Sequence, residues 1–367
     1  MPSSLKAIGA LAAWHRSRFD IPVIGITGSV GKTTTKEMIS AVLSQRFNVH
    51  KTEKNFNNEL GVPQTLLGLD DAHEVAVVEM GISDFGEMRR LTHMVRPTIA
   101  VFSVIGHAHL EFLGDRSGVM RAKGEIFEGM NGNGLAIVNG DDDLLRACEP
   151  GMRKVMYGVE QGNDLVAEDI RSIGAEAIEC TVRHDGKALR LHIPAFGQHM
   201  VYAALAGVAA GLALGMTDEA IAEGIARYET VGNRAKVIRA NGITVVSDCY
   251  NANPNSTAAA ILSLAQLEGR KICVLGDMLE LGENSPALHY AIGEKAAQAG
   301  VELVLACGAL SENTCRGAMD AGTQAQWFES REALIEALPT FIRPGDNILV
   351  KASNSMKFDA VTEALIR

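Results

Sequence analysis

Apolar positions along this chain of 367 residues alternate between two rhythms. Short continuous apolar runs at residues 21–26, 75–78, 97–105 and 135–138 read as strands. Between them apolar residues return at helical spacing, as in Met38, Ile39, Val42 and Leu43 or across residues 119–130. Residues 3–19 read as an amphipathic helix with Leu5, Ile8, Leu11, Ala12 and Trp14 on one side, and Pro22 helps set the passage into the first strand. Residues 153–194 change to short strands with Asn-Asp and Asp-Gly turns, a small β-rich segment, before helices at 198–216 and 217–227. Composition shifts at the hinge Val231-Gly232-Asn233, and the strand–helix alternation then restarts. Strands are expected at 243–247, 271–275, 301–306 and 347–350, and helices at 256–267, 288–299 and 331–338. This predicts an α/β protein: a linker helix in residues 1–20, a central domain with a mostly parallel sheet over 21–231, and a second parallel α/β domain over 232–367.

The first strand leads directly into chemistry. In Ile24-Gly25-Ile26-Thr27-Gly28-Ser29-Val30-Gly31-Lys32-Thr33-Thr34-Thr35 a glycine-punctuated turn separates an apolar strand from a helix. Such a loop directs backbone N–H groups and the positive end of the helix dipole at one point, which cradles an anion. Lys32 is placed to reach the β- and γ-phosphates of a nucleoside triphosphate, and the Thr33 hydroxyl to ligate Mg2+. The usual pattern has glycine where Ile26 stands, and Gly28 takes over its steric role. The central domain therefore reads as a P-loop ATPase type, with ATP held by Thr27, Gly28, Ser29, Val30, Gly31, Lys32, Thr33 and Thr34.

Other polar side chains sit where parallel sheets gather ligands, at the C-terminal ends of strands. Glu79 closes the 75–78 run, and with a P-loop ahead of it reads as ligand-facing instead of solvated. Gly106-His107-Ala108-His109-Leu110-Glu111 follows the next strand; its alternating histidines serve either as metal ligands or as hydrogen-bonded side chains. The polar run at residues 55–63, with Asn57 and Asn58, is either a capped turn or a substrate-facing loop. By pattern alone Lys123 is a solvated helical lysine.

Composition narrows the picture. A hydrophobic content of 47% and a net charge of −10, with no block of Lys or Arg, describe a soluble globular protein and argue against nucleic acid as a main partner. The six cysteines form no CxxC pair and no metal-finger spacing, which suits a reducing, cytoplasmic setting. Residues 1–20 lack the apolar core of a signal peptide. Residues 200–216 are uncharged but rich in Ala and Gly and short for a membrane span, so they read as a buried helix.

Several of these runs carry a family resemblance. They are Thr27-Gly28-Ser29-Val30-Gly31-Lys32-Thr33-Thr34-Thr35-Lys36-Glu37-Met38, the Asn-rich residues 55–63, Glu79-Met80-Gly81, Ala108-His109-Leu110-Glu111 and Ala122-Lys123-Gly124-Glu125-Ile126. Tyr250-Asn251-Ala252-Asn253-Pro254 and Leu275-Gly276-Asp277-Met278-Leu279-Glu280-Leu281-Gly282 continue the series. Together they resemble the Mur ligases of peptidoglycan synthesis over nearly the whole chain. The last two runs are particular to the branch that joins D-alanyl-D-alanine to UDP-N-acetylmuramoyl-tripeptide.

The resemblance implies an ADP-forming amide ligase. ATP converts a substrate carboxylate to an acyl phosphate, an amine attacks, and a tetrahedral intermediate collapses to amide and phosphate. It implies a catalytic role for Lys32, Lys123 and His109, and Mg2+ held by Thr33 and Glu79. His109 and a carbamylated Lys123 would serve a second metal, the carbamate turning a cation into an anionic ligand. Arg234 and Asn251 would contact ATP, and Asn57, Asn58 and Asn253 the substrate, with a Rossmann-like C-terminal ligase domain. The partners implied are a small-molecule acid and an amino acid or dipeptide. Departures from the family pattern occur at Val30, at Ser103 and Val104, and in Lys351-Ala352-Ser353-Asn354-Ser355-Met356, where an arginine is usual in place of Asn354. Ligases of this kind also carry an N-terminal UDP-binding domain, and residues 3–19 match the linker after it. The expectation is a chain lacking that domain, either truncated or naturally two-domain, with a separate UDP-binding domain as a partner. Two other readings stand beside this one: an amide ligase acting on a non-UDP acid in cofactor or secondary metabolism, and a non-catalytic nucleotide-binding partner. The set Lys32, Glu79, His109 and Lys123 speaks against the latter.

Overall fold

The structure, a computed structural model, describes residues 4–106, 110–130, 132–232 and 234–367. It divides into two compact units: residues up to Arg171 with Glu179–Pro194 and Met200–Glu229, and Ser172–Ile178 with Ala195–His199 and Thr230–Arg367.

The first sheet holds, among the described residues, β1 (Val23–Thr27), β2 (Val49–Lys51), β3 (Val75–Glu79), β4 (Ile99–Phe102), β5 (Leu135–Asn139), β6 (Arg153–Gly158), β7 (Leu165–Ile173), β8 (Ala177–His184) and β9 (Lys187–Ile193). Their order is β2-β3-β1-β4-β5-β6-β7-β8-β9, so the short strands beyond residue 153 extend the sheet. The pairs from β2 through β7 run parallel. All five residues of β1 are buried, as a strand covered on both faces requires. Its register sets Ile26 opposite Glu79 and Thr27 opposite Phe102, which brings three strand ends together where the phosphate loop begins. Val23, Val78, Phe102, Leu66, Leu91, Val119 and Val138 fill one core cluster, each stabilising the fold by about 1.5–3 kcal/mol of burial.

The uncharged run at 200–216 forms the buried helix Met200–Ala213. It packs with the helix Asp218–Ala226 against the helix Lys32–Leu43. At Gly224 the approach is so close that a Cβ would lie 2.5 Å from Val42 Cα. Among the described residues no helix is long and apolar enough to cross a membrane.

The first helix, Ser4–Arg16, does not bury the face expected of it. Gly9, Ala12 and Arg16 are buried, whereas Leu5, Leu11 and Trp14 are exposed. At 3.6 residues per turn Trp14 lies half a turn round from Leu5, so the two share no face. Small side chains win the contact: a Cβ on Gly9 would already lie 2.9 Å from Met94 Sδ. Arg16 anchors the helix by donating to Val95 O at 3.1 Å and Phe19 O at 2.6 Å.

The second unit is built on β10 (Lys236–Ala240), β11 (Ile243–Asp248), β12 (Lys271–Gly276), β13 (Leu303–Cys307), β14 (Gln324–Phe328) and β15 (Asn347–Lys351). The order is β10-β11-β15-β12-β13-β14, antiparallel only at β10–β11. Successive strand residues face opposite sides, and the sheet accordingly feeds two cores. Val246, Cys273, Leu275, Val304 and Leu349 pack with Ile261, Leu264, Ile292 and Ala318. Val245, Ile272, Val274, Leu305 and Val350 pack with Leu334, Leu338, Val361 and Leu365. All six cysteines are free thiols.

Candidate active site

The phosphate loop is held in an open turn by its glycines and by a neighbouring strand end. Gly28 has φ +147°, a conformation closed to L side chains, and a Cβ there would fall 2.0 Å from Ser103 Oγ. Gly31 stands in the left-handed region at the N-cap of the helix Lys32–Leu43. Ser103 Oγ donates to Val30 O at 2.5 Å, and Ser29 N donates to Val104 O at 2.8 Å. Ser29 Oγ accepts from Gly106 N at 2.9 Å. The 103–106 segment is fixed in turn by Asp142, whose Oδ2 accepts from Ile105 N at 2.8 Å, and by Arg116, whose Nε donates to Ile105 O at 2.9 Å. Lys32 Nζ donates to Gly28 O at 2.9 Å, so its charge lies over the loop. The buried Thr27 hydroxyl has no hydrogen-bond partner.

Glu79 is the acidic centre beside this loop. It is 1% exposed, with Oε1 accepting from Thr33 Oγ1 at 3.1 Å and from Asn57 Nδ2 at 2.8 Å. Oε2 is buried with no hydrogen-bond partner among the described residues, and Lys36 Nζ stands 4.0 Å away. Lys36 is itself occupied, donating to Thr52 O at 2.7 Å and pairing with Glu37 at 2.9 Å. An orphaned carboxylate oxygen beside a threonine hydroxyl is a hard donor set, and it fits Mg2+. Among the described residues no three His, Cys, Asp or Glu converge.

Lys123 overturns the pattern-based reading of a solvated lysine. The helix Arg116–Gly124 buries Val119, Ala122 and Lys123, leaving the lysine 1% exposed. Burial first, and then the charge of Lys32, hold its ammonium well below the usual lysine range, with Glu87 pulling the other way. Such a side chain gives up its proton readily and becomes a nucleophilic amine. Glu125, two residues on, accepts from Gly86 N at 3.1 Å and Arg89 N at 3.0 Å and so caps the helix Glu87–Val95 that carries Glu87. His107 and His109 lie outside the described residues. Glu111 is exposed.

The asparagines separate by geometry. Asn58 Oδ1 accepts from Leu60 N and Gly61 N at 3.1 and 2.9 Å, a capped turn, whereas Asn57 reaches Glu79. In the second unit Asn253 caps the helix Pro254–Leu264, accepting from Ser256 N at 2.9 Å while Ser256 Oγ accepts from Asn253 N at 3.3 Å. A cap of this kind stabilises by about 1 kcal/mol. Asn251 is exposed, and its Oδ1 accepts from Ala252 N at 2.9 Å. The Arg234 guanidinium lies 3.7 Å from the centre of the Tyr250 ring, a cation–π stack that holds the arginine extended over a flat surface.

A strand–loop–helix phosphate cradle, a buried carboxylate facing the Thr33 hydroxyl and a buried lysine are the chemical features of this α/β frame. The chain belongs to the Mur ligase family: residues 26–211 match the Mur ligase middle domain and 233–354 the Mur ligase glutamate ligase domain. It is 36% identical to the UDP-N-acetylmuramoyl-tripeptide–D-alanyl-D-alanine ligase of Bacillus subtilis (strain 168), over 99% of this chain and 80% of that protein. Its fold matches crystal structure I of MurF from Acinetobacter baumannii with TM-score 0.94 and 32% identity, over 100% of this chain and 81% of that one. MurF ligase from Thermotoga maritima in complex with ADP matches with TM-score 0.90 and 28% identity, over 99% and 84% of the two chains.

Proposed function

We propose that this chain joins D-alanyl-D-alanine to UDP-N-acetylmuramoyl-tripeptide, with ATP converted to ADP and phosphate. The observation that supports this most is the Lys32–Thr33–Glu79 cluster on an intact phosphate loop, in a chain similar along 99% of its length to a ligase of that name. The small-molecule substrates follow from the same likeness, and the α/β frame places the cluster at a strand-end edge of a parallel sheet.

The loop N–H groups and Lys32 hold the triphosphate, and Lys32 neutralises charge as the γ-phosphoryl group leaves ADP. A carboxylate oxygen of the acid attacks that phosphorus: one O–P bond forms, the bond to ADP breaks, and an acyl phosphate results. The amine of the dipeptide then attacks the acyl carbon, loses a proton, and expels phosphate as the amide forms. Mg2+ bound through Thr33 and Glu79 would offset phosphate charge. Asn57 holds the Glu79 carboxylate in place. Lys123 in neutral form takes up carbon dioxide at Nζ, forming an N–C bond and releasing a proton, which leaves an anionic carbamate where an ammonium could not serve as a metal ligand. His109 joins the same metal-binding group. Arg234 and Asn251 act as nucleotide contacts of the second unit.

Phosphate release measured against a panel of acids and amines tests the proposal. UDP-N-acetylmuramoyl-tripeptide with D-alanyl-D-alanine should give the highest kcat/KM of the panel. Strict preference for an acid without a UDP group would overturn it.

A further inference from the structure

We infer that Lys351 is a positioning residue whose buried ammonium, clasped by Asp248, fixes the turn carrying Arg234 against the turn carrying Tyr250 and Asn251. The inference rests on the assignment of Arg234 and Asn251 to the nucleotide made above.

Asp248 and Lys351 are the last residues of β11 and β15, and the parallel register sets them opposite each other. The lysine side chain is 2% exposed, and its Nζ lies 2.5 Å from Asp248 Oδ2. The same Nζ donates to Asn251 O at 3.0 Å. The other carboxylate oxygen, Asp248 Oδ1, accepts from Ala235 N at 3.2 Å. Ala235 follows Arg234 directly and sits at φ +53°, a left-handed conformation that an alanine adopts only where its surroundings hold it. One ion pair therefore ties both ends of the Arg234–Tyr250 stack: Ala235 on the arginine side and Asn251 on the tyrosine side.

Stability alone is a poor reason for such a pair. Burying the lysine charge beside a carboxylate that is itself 18% exposed costs desolvation that their attraction only about balances, and an apolar pair of similar volume would serve as well. What the ion pair supplies is geometry: a fixed point from which hydrogen bonds reach two separate turns. Neither Lys351 nor Asp248 need touch the nucleotide to act in this way.

The test uses steady-state kinetics of the whole chain, varying ATP, acid and amine in turn. Lys351→Met keeps the stem and removes the donors. It should raise KM for ATP about tenfold and leave the KM values for acid and amine within about twofold. In Lys351→Met/Arg234→Ala the two effects should fall well short of multiplying, because the lysine acts through the arginine. Asp248→Asn, which keeps an oxygen for Ala235 N, should show a smaller shift of the same kind, and it carries the test if Lys351→Met does not fold. An unchanged KM for ATP in Arg234→Ala would reject the nucleotide assignment, and the inference would fall with it. A raised KM in Arg234→Ala with none in Lys351→Met and Asp248→Asn would reject the positioning role alone. So would fully multiplying effects, or an equal loss against all three substrates.

Discussion

Lys32→Ala will lower ATP-dependent phosphate release by about a thousandfold or more, the scale of losing a charge aimed at a transition state in a dry site. In the structure this ammonium folds back to Gly28 O across the phosphate loop. Among the described residues the nearby Lys36 is committed to Thr52 and Glu37 and cannot replace it. Lys123 is held toward its neutral form. The backbone conformations of Gly28 and Gly31 and the Ser103 and Ser29 hydrogen bonds also fix the loop, so loss of the Lys32–Gly28 contact leaves its other supports in place. The variant should therefore melt close to the parent temperature. Phosphate release at the parent rate from folded Lys32→Ala would remove the phosphate loop from the mechanism.

Lys123→Ala will lose about a hundred- to a thousandfold in turnover, and acetate or another small carboxylate will restore part of it. The lysine is buried within the electrostatic reach of Lys32 and Glu87, and its ammonium is disfavoured. A buried cation without a strong compensating anion has little to offer a site that must hold phosphates through metal ions, whereas a carbamate on the same nitrogen is an oxygen ligand. Acetate can enter the space vacated by the side chain and present that oxygen again. Restoration by methylamine, and none by acetate, would mean that the working group is an ammonium.

Much of this site could be read from the chain because its parts are local. The apolar run into Thr27, the glycines and the helix at Lys32 are contiguous, so periodicity and backbone sterics alone define the cradle. Glu79 was legible for a related reason, since a carboxylate closing a buried strand has few places to point other than the ligand edge. The supports were not legible. Ser103 meets Val30, and Asp142 meets Ile105, across long stretches of chain, and a serine or aspartate at a strand end carries no mark of such a partner. Lys123 shows the same limit from the other side. A lone lysine on a short helix reads as solvated, and only the packing of Arg116–Gly124 turns it inward. Asn57 and Asn58 are adjacent and chemically identical, yet one caps a turn and the other holds Glu79. The helix Glu87–Val95 has a strong apolar stripe but is capped by Glu125 from a distant segment, a signal absent from its own sequence. Elements with little apolar run of their own, such as β14 and the helix Glu312–Asp320, likewise took shape only against their neighbours.

The account turns on an acyl phosphate made at the Lys32–Glu79 cluster, and the path of a single oxygen atom tests it. The acid substrate is prepared with heavy oxygen in its reacting carboxylate, and the products of one round of ligation are separated and weighed by mass spectrometry. Attack of that carboxylate on the γ-phosphorus, followed by amine attack at carbon, must leave one labelled oxygen in each phosphate released and none in ADP. Unlabelled phosphate, with both heavy oxygens traced elsewhere, would contradict the mechanism.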